Sequence, residues 1–316
     1  MRSESYRYAP RVSVITPVYN RERLVSRTIQ SLLEQTYKNL ELVFIDDGST
    51  DNSLLVLNQF AEKHDHIRLV IQQNQGQTRA RMNGIAQSTG EFLAFLDSDD
   101  TWHPHKIEKQ LAAFREETSL VYSGYRRVAP DGTGIEDVYC NPNVRGPGAY
   151  RHLLISNQMM GGTVMVRRDI YDAAGGFDAS FDAAENWDLW TRVAALGSVE
   201  FVDELLVDYL VHPGSMSVDR EKMEQANLKF LQKHLPELPT DESLRPIYLA
   251  AWQAYWTKKA RRHFKDGDYG DMRASYRNAR IHGVPEREDQ VRQMRALLGR
   301  YANKRISQFL QVLRGS

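Results

Sequence analysis

Three carboxylates stand together in Asp97-Ser98-Asp99-Asp100, directly after the apolar run FLAFL at residues 92–96. An Asp-x-Asp at the end of a strand suits a hard divalent cation, Mn2+ or Mg2+, which prefers oxygen ligands and can bridge one or two carboxylates to a diphosphate. A second acidic block, Asp46-Asp47-Gly48-Ser49-Thr50, follows LELVFI at residues 40–45. A carboxylate there can accept a hydrogen bond from a nucleobase N–H or a ribose hydroxyl. Carboxylates alone repel phosphate, so the combination describes a site for a nucleoside diphosphate that arrives with a metal. The first turn, TPVYNRERL, holds neither GxxxxGK[ST] nor GxGxxG, which excludes a P-loop or dinucleotide fingerprint there. The plainer reading of both acidic blocks is a turn followed by a helix cap, which Asp-Gly, Ser and Thr also make.

The elements around these residues alternate. Residues 12–16 (VSVIT), 40–45, 67–71 and 92–96 read as short buried strands. Between them, Asn20 can cap a helix carrying Leu24, Val25, Thr28, Ile29, Leu32 and Leu33 on one stripe. Helices are expected over 51–64 and 78–88 as well. Three β-α-β steps imply a parallel sheet with right-handed crossovers, and such sheets bind ligands beyond the carboxyl ends of their strands. Those ends are residues 16–20, 46–50, 72–77 and 97–100; all are polar and two are acidic.

Composition narrows the class. The chain has 316 residues, 41% hydrophobic and 26% charged, which fits a globular α/β protein rather than a disordered one. Its 41 basic and 41 acidic side chains cancel, so a polycation built for nucleic acid is not expected. No run of eighteen apolar residues marks a membrane span, and the opening MRSESYRYAPRVSV has no secretory pattern. The single cysteine, Cys140, rules out an internal disulfide framework. A cytoplasmic setting is therefore expected. Charge divides the chain: after residue 250 there are fifteen Lys and Arg against six Asp and Glu, a surplus of nine, so the first 250 residues carry the matching deficit. The pattern also changes from alternating strands and helices to continuous helix, giving a main domain over 1–233, a Pro-containing linker over 234–246 and a basic helical region over 247–316.

With these residues in view, the chain resembles the family 2 inverting glycosyltransferases of GT-A fold. The resemblance runs through VSVITPVYN, SLLEQTYKNLELVFIDDGSTD, NQGQTRARMNG and GEFLAFLDSDD, then GGFD, ENWDLWTR and HPGSMS, over roughly residues 11–217. It implies an α/β, mostly parallel Rossmann-like sheet with helices on both faces, followed here by a helical C-terminal appendage. It implies transfer of one sugar, with inversion, from a nucleotide-diphosphate sugar to a hydroxyl of a glycan or lipid-linked glycan. Carried over residue by residue, Pro17 and Tyr19 line the nucleobase and Asp47 accepts from its N–H. Arg79 or Arg81 approaches base or diphosphate. Asp97 reaches the ribose or metal-bound water, Asp99 binds the metal directly, Asp100 supports it, and His212 touches the diphosphate or completes the metal shell. Gly214 lets that last loop move. The base falls in Glu185-Asn186-Trp187-Asp188, where the family often has Glu-Asp. Glu185 is the first choice and Asp188, one turn on, the second, with Trp187 and Trp190 as an apolar rim.

Two features lead elsewhere. Basic residues such as Lys258, Arg261, Arg295 and Arg305, with apolar Leu298, Ile306 and Phe309, describe either a surface for an anionic membrane or a solvated helical face. Asn186 in the base segment leaves a catalytically inactive scaffold or interaction protein as an alternative. A sugar-nucleotide pyrophosphorylase is disfavoured by the glycine-free first turn.

Overall fold

The computed structural model describes residues 9–139, 141–212, 219–237 and 239–268, and a few positions from 270 to 278. The sequence motif at 213–218, with Gly214, and the basic stretch beyond 280 lie outside the described residues. The first strands are β1 (Val12–Val18), β2 (Leu40–Asp47), β3 (Ile67–Gln72) and β4 (Phe92–Phe95). Helices α1 (Val25–Leu33), α2 (Ser53–Ala61) and α3 (Gln77–Ala86) connect them. The chain goes on through β5 (Thr101–Trp102), α4 (Lys106–Ala113), β6 (Thr118–Val128), β7 (Gly134–Val138), α5 (Tyr150–Ile155), β8 (Met165–Arg167), α6 (Arg168–Ala173), α7 (Glu185–Ala194), β9 (Ser198–Leu210), α8 (Arg220–His234) and α9 (Arg245–Asp266).

The described strands form one nine-stranded sheet in the order β3-β2-β1-β4-β8-β6-β9-β5, with β7 on β6. β3, β2, β1 and β4 are parallel, in a register that sets Val12 beside Leu40 and Phe92. β1 and β2 are buried along their whole length, because helices cover both faces. Alternate residues feed two cores. Ile15, Val43 and Ile45 pack with Ala80 and Ile85 of α3 and Trp190 of α7. Val14, Leu42 and Phe44 pack with Ile29 and Leu32 of α1 and Leu57 of α2. The strand order reverses at β1, between β2 and β4, the position at which such sheets open a crevice.

Asn20 departs from its expected role. α1 begins at Val25 without a side-chain cap. Asn20 instead adopts a left-handed backbone (φ 52°) and its Oδ1 accepts from the Thr50 N–H at 2.8 Å. It ties the end of β1 to the turn after β2, a longer-range use of the same acceptor.

Residues group into two compact units, Met1–Leu153 with Asn157–Phe230, and Leu154–Ser156 with Leu231–Ser316. Within the second, Trp252, Tyr255 and Trp256 are buried against one another, and Trp252 Nε1 donates to the Leu235 carbonyl at 3.1 Å. They are core rather than a sugar platform. Among the described residues no helix is long and apolar enough to cross a membrane.

One buried charge in the first unit has a measurable consequence. Lys106 is fully buried, with Nζ 2.6 Å from Gln110 Oε1 and 3.9 Å from the centroid of the Trp102 ring. Burial pushes its ammonium well below the usual lysine range. The folded state then holds that proton less tightly than the unfolded chain, so stability climbs as pH rises from the depressed value towards about 10.4. Lys106→Met removes the proton linkage, and melting curves across that window are expected to show a shallower climb than wild type. Superimposable profiles would contradict the assignment.

Candidate active site

The site begins where the parallel strands end. Pro17 lies in β1, and Tyr19, just past it, is 44% exposed; both line a cavity of about 800 Å3. Across from them β2 ends on Asp46-Asp47. Asp46 is buried at the start of the β2–α2 turn and accepts from the Ser49 N–H at 3.3 Å, a structural role. Asp47 lines the cavity and binds the β3–α3 loop: Oδ1 accepts from Gln72 Nε2 (2.7 Å) and the Gln75 N–H (2.8 Å), and Oδ2 from the Gly76 N–H (2.9 Å). A carboxylate offers about four acceptor sites, so one remains for a ligand. Gly48 makes this approach possible. Its φ is +72°, and a Cβ there would meet the Asn74 amide nitrogen at 2.8 Å.

The DxD turn follows β4. Asp97 and Asp99 line the cavity. Oδ2 of Asp99 lies 2.9 Å from His212 Nε2 and 3.4 Å from Arg21 Nε. Asp100 is buried. Its Oδ1 accepts from the Leu210 N–H at 2.9 Å, and its carbonyl accepts from Thr28 Oγ1 at 2.8 Å. The Leu210 bond fixes the end of β9 beside the turn, which is how His212, 113 residues away in sequence, reaches Asp99, and the Thr28 bond ties the same turn to α1. Burial first, then the charges of Asp99 and Asp97, drive the Asp100 carboxyl well above the usual range. By donor type, carboxylate oxygens of Asp97 and Asp99 and one imidazole nitrogen suit a divalent cation; Asp99 and His212 lie within reach of a single ion, and the Arg21 cation is drawn to the same Asp99 oxygen.

The third wall is α7. Ala184 takes a left-handed turn (φ 61°) into the helix, and Glu185 is its first residue, lining the cavity. Glu185 Oε1 accepts from Arg81 Nη1 at 2.6 Å and from Asn186 Nδ2 at 3.0 Å; Oε2 has no partner among the described residues. Asn186, which stands where a second acid is often found, thus supports Glu185 without adding a like charge beside it.

Three expectations change. Asp188 does not share the cleft with Glu185: it is wholly buried, paired with Arg192 at 2.6 Å, and absent from the cavity wall. Arg192, at i+4, captures it and donates on to the Gly176 carbonyl at 2.7 Å, so the carboxylate is committed to the fold. Trp187 and Trp190 form no rim. Trp190 packs between Phe95 and Phe177, and Trp187 stacks on Phe230 with centroids 3.7 Å apart. Of the two arginines, Arg79 is exposed and lines the cavity, whereas Arg81 is 1% exposed and lies behind the wall.

Sequence reasoning passed over Arg21, Gln77 and Lys222, which also line the cavity. Gln77 Nε2 donates to Asp97 Oδ1 at 2.7 Å. Arg21 carried a signal, a lone cation at the end of the first strand facing two acidic strand ends. Lys222 carried none, since it reaches the cavity from α8, beyond the motif-bearing strands.

Comparison with known proteins comes to the same region. The model of the family described as Glycosyl transferase family 2 matches residues 13–175. An uncharacterized glycosyltransferase of Nostoc sp. is 47% identical over 106 residues, covering 33% of this chain and 33% of the relative. Chondroitin synthase of Escherichia coli is 27% identical over 229 residues, covering 72% of this chain and 33% of that enzyme. The chain therefore spans about a third of the length of either relative. Among solved structures, the mannosyltransferase PcManGT from Pyrobaculum calidifontis, in complex with GDP-Man and Mn2+, superposes with a TM-score of 0.62 at 18% identity, covering 95% of this chain and 83% of that one. At that identity the likeness is one of fold.

The geometry separates the two candidate carboxylates experimentally. Asp188→Asn, which leaves Arg192 short of its counter-charge, is expected to lower stability by about 1–3 kcal/mol. Turnover per folded molecule should stay within about threefold. A loss of about a hundredfold or more in well-folded protein would restore Asp188 as the base.

Proposed function

We propose that this chain, which belongs to glycosyl transferase family 2, transfers one sugar with inversion from a nucleotide-diphosphate sugar to a hydroxyl of a glycan or lipid-linked glycan. The observation that carries the reading is one cavity whose walls bring together Pro17, Tyr19 and Asp47 at one side, Asp97 and Asp99 at the carboxyl end of β4, and Glu185 at the start of α7.

Pro17 and Tyr19 offer apolar surface to a base, and the remaining acceptor site of Asp47 takes a base N–H. Arg79, Arg21 and Lys222 provide the positive charge that a diphosphate needs. Asp99, Asp97 and His212 would hold Mn2+ or Mg2+, which when bound neutralises charge on the departing diphosphate. Glu185 receives the acceptor's proton through Oε2. As the acceptor oxygen forms its bond to the anomeric carbon, the bond from that carbon to the phosphate oxygen breaks, and its electron pair leaves with the nucleoside diphosphate. One displacement with one base gives inversion. Arg81 and Asn186 keep the Glu185 carboxylate in place while it waits.

Chondroitin synthase as a relative supports a role in assembling a bacterial surface or extracellular polysaccharide. The surplus of positive charge after residue 250 supports work at the inner, anionic face of a membrane, where a lipid-linked acceptor would be met.

A thermal-shift screen of nucleoside diphosphates and nucleotide-sugars, with and without Mn2+, tests this reading. The matching donor at a hundred times its Kd should stabilise by about 2.7 kcal/mol, and Asp99→Ala should lose the Mn2+-dependent part while unfolding as cooperatively as wild type. Glu185→Gln should keep the donor-induced shift and lose about 10²–10⁴ in transfer rate. Wild-type transfer by either variant would refute its assigned role.

A further inference from the structure

Arg81 is among the largest side chains wholly buried in the described residues. It issues from α3, the helix between β3 and β4, and its guanidinium is divided between two elements. Nη2 lies 2.5 Å from Asp97 Oδ1 after β4, and Nη1 lies 2.6 Å from Glu185 Oε1 at the start of α7. Its centre sits 5.8 Å from the Phe177 ring, so apolar surface rather than water lies on one side, and Nε has no hydrogen-bond partner among the described residues. Oδ2 of Asp97 and Oε2 of Glu185, the oxygens that Arg81 does not use, have no partners among the described residues. One fixed cation is thus shared by two carboxylates that belong to different halves of the proposed reaction.

That sharing has a thermodynamic consequence. Under the reading proposed above, a divalent cation arrives at Asp97 and Asp99 and competes with Arg81 for the same carboxylate. Like charges repel, and the repulsion is weakly screened behind the wall. The arginine cannot retreat to water, because it is enclosed; it has only Glu185 to turn to. We propose that Arg81 is a positioning residue that couples the two halves. It shares itself between Asp97 and Glu185 in the free protein, and gives its charge over to Glu185 when a cation loads the Asp97–Asp99 end. Donor loading then tightens the hold on the base, and by reciprocity any change that weakens the Arg81–Glu185 contact must weaken cation binding.

The reciprocal arm is testable without turnover, by titrating Mn2+ alone against the full chain and reading free Mn2+ by electron paramagnetic resonance. Glu185→Gln removes the charge that draws Arg81 away, so Arg81 rests on Asp97 and the Mn2+ Kd should rise by about tenfold. Removing a nearby negative charge could also weaken binding through space, and the arginine background separates the two causes. In Arg81→Met, Mn2+ should bind more tightly than in wild type, and adding Glu185→Gln to it should change Kd by less than about twofold. Should Arg81→Met fail to fold, Arg81→Lys serves instead: a single ammonium cannot span both carboxylates, so the effect of Glu185→Gln should fall below about threefold. An unchanged Kd in folded Glu185→Gln, or the full effect persisting without Arg81, overturns the coupling while leaving the metal site standing. A wild-type chain that binds no Mn2+ overturns both the metal-dependent reading and the coupling.

Discussion

Negative charge crowded at one end of a parallel sheet is the constraint around which the first unit is organised. Asp47, Asp97, Asp99, Asp182, Glu185 and Asp219 all line a single cavity. Left alone, such a group would raise its own proton affinities and splay apart. Four of the six are assigned donors within the site: loop amides for Asp47, Arg81 for Asp97 and Glu185, His212 and Arg21 for Asp99. Asp100, enclosed behind its neighbours, has its carboxyl pushed well above the usual range by burial and by the charges of Asp99 and Asp97. The result is a cavity whose carboxylates keep oxygens unpaired among the described residues, those the proposed cation and sugar nucleotide would use.

The scaffold delivers these partners to within hydrogen-bonding distance. α3 lies so close to β1 and β2 that a Cβ on Gly84 would meet Ile45 at 2.5 Å. That close approach seats Arg81 under the ends of β4 and α7. The antiparallel β5–β9 pairing, with Thr101 opposite Asp208, brings the last strand back along the DxD turn. Asp99 and His212, far apart in sequence, therefore meet without a long flexible reach.

Much of this was legible in the sequence for a physical reason. Strands buried on both faces are mostly apolar, so β1, β2 and β4 stood out as short runs, and their polar ends marked the crevice. Where the sequence was silent, geometry on one element was the cause. Arg79 and Arg81 are two residues apart on a helix, about 200° around its axis, so one meets the cavity and the other the interior. Periodicity does not say which. Asp188 lies one turn from Glu185 and was expected to share its face. The competing partner, Arg192, is a further turn on, and only the Ala174 and Gly176 carbonyls that also engage it show where the pair is drawn. Asn20 had the right chemistry for a cap and found a better acceptor role thirty residues away.

The most direct measurement is anomalous diffraction at the manganese edge from crystals grown with Mn2+ and the nucleoside diphosphate that stabilises the protein most. The account predicts a peak at about 2.0–2.3 Å from an Asp99 carboxylate oxygen and His212 Nε2, with the base against Pro17 and Tyr19. A nucleotide seated on that wall with no anomalous signal beside Asp99 would contradict it.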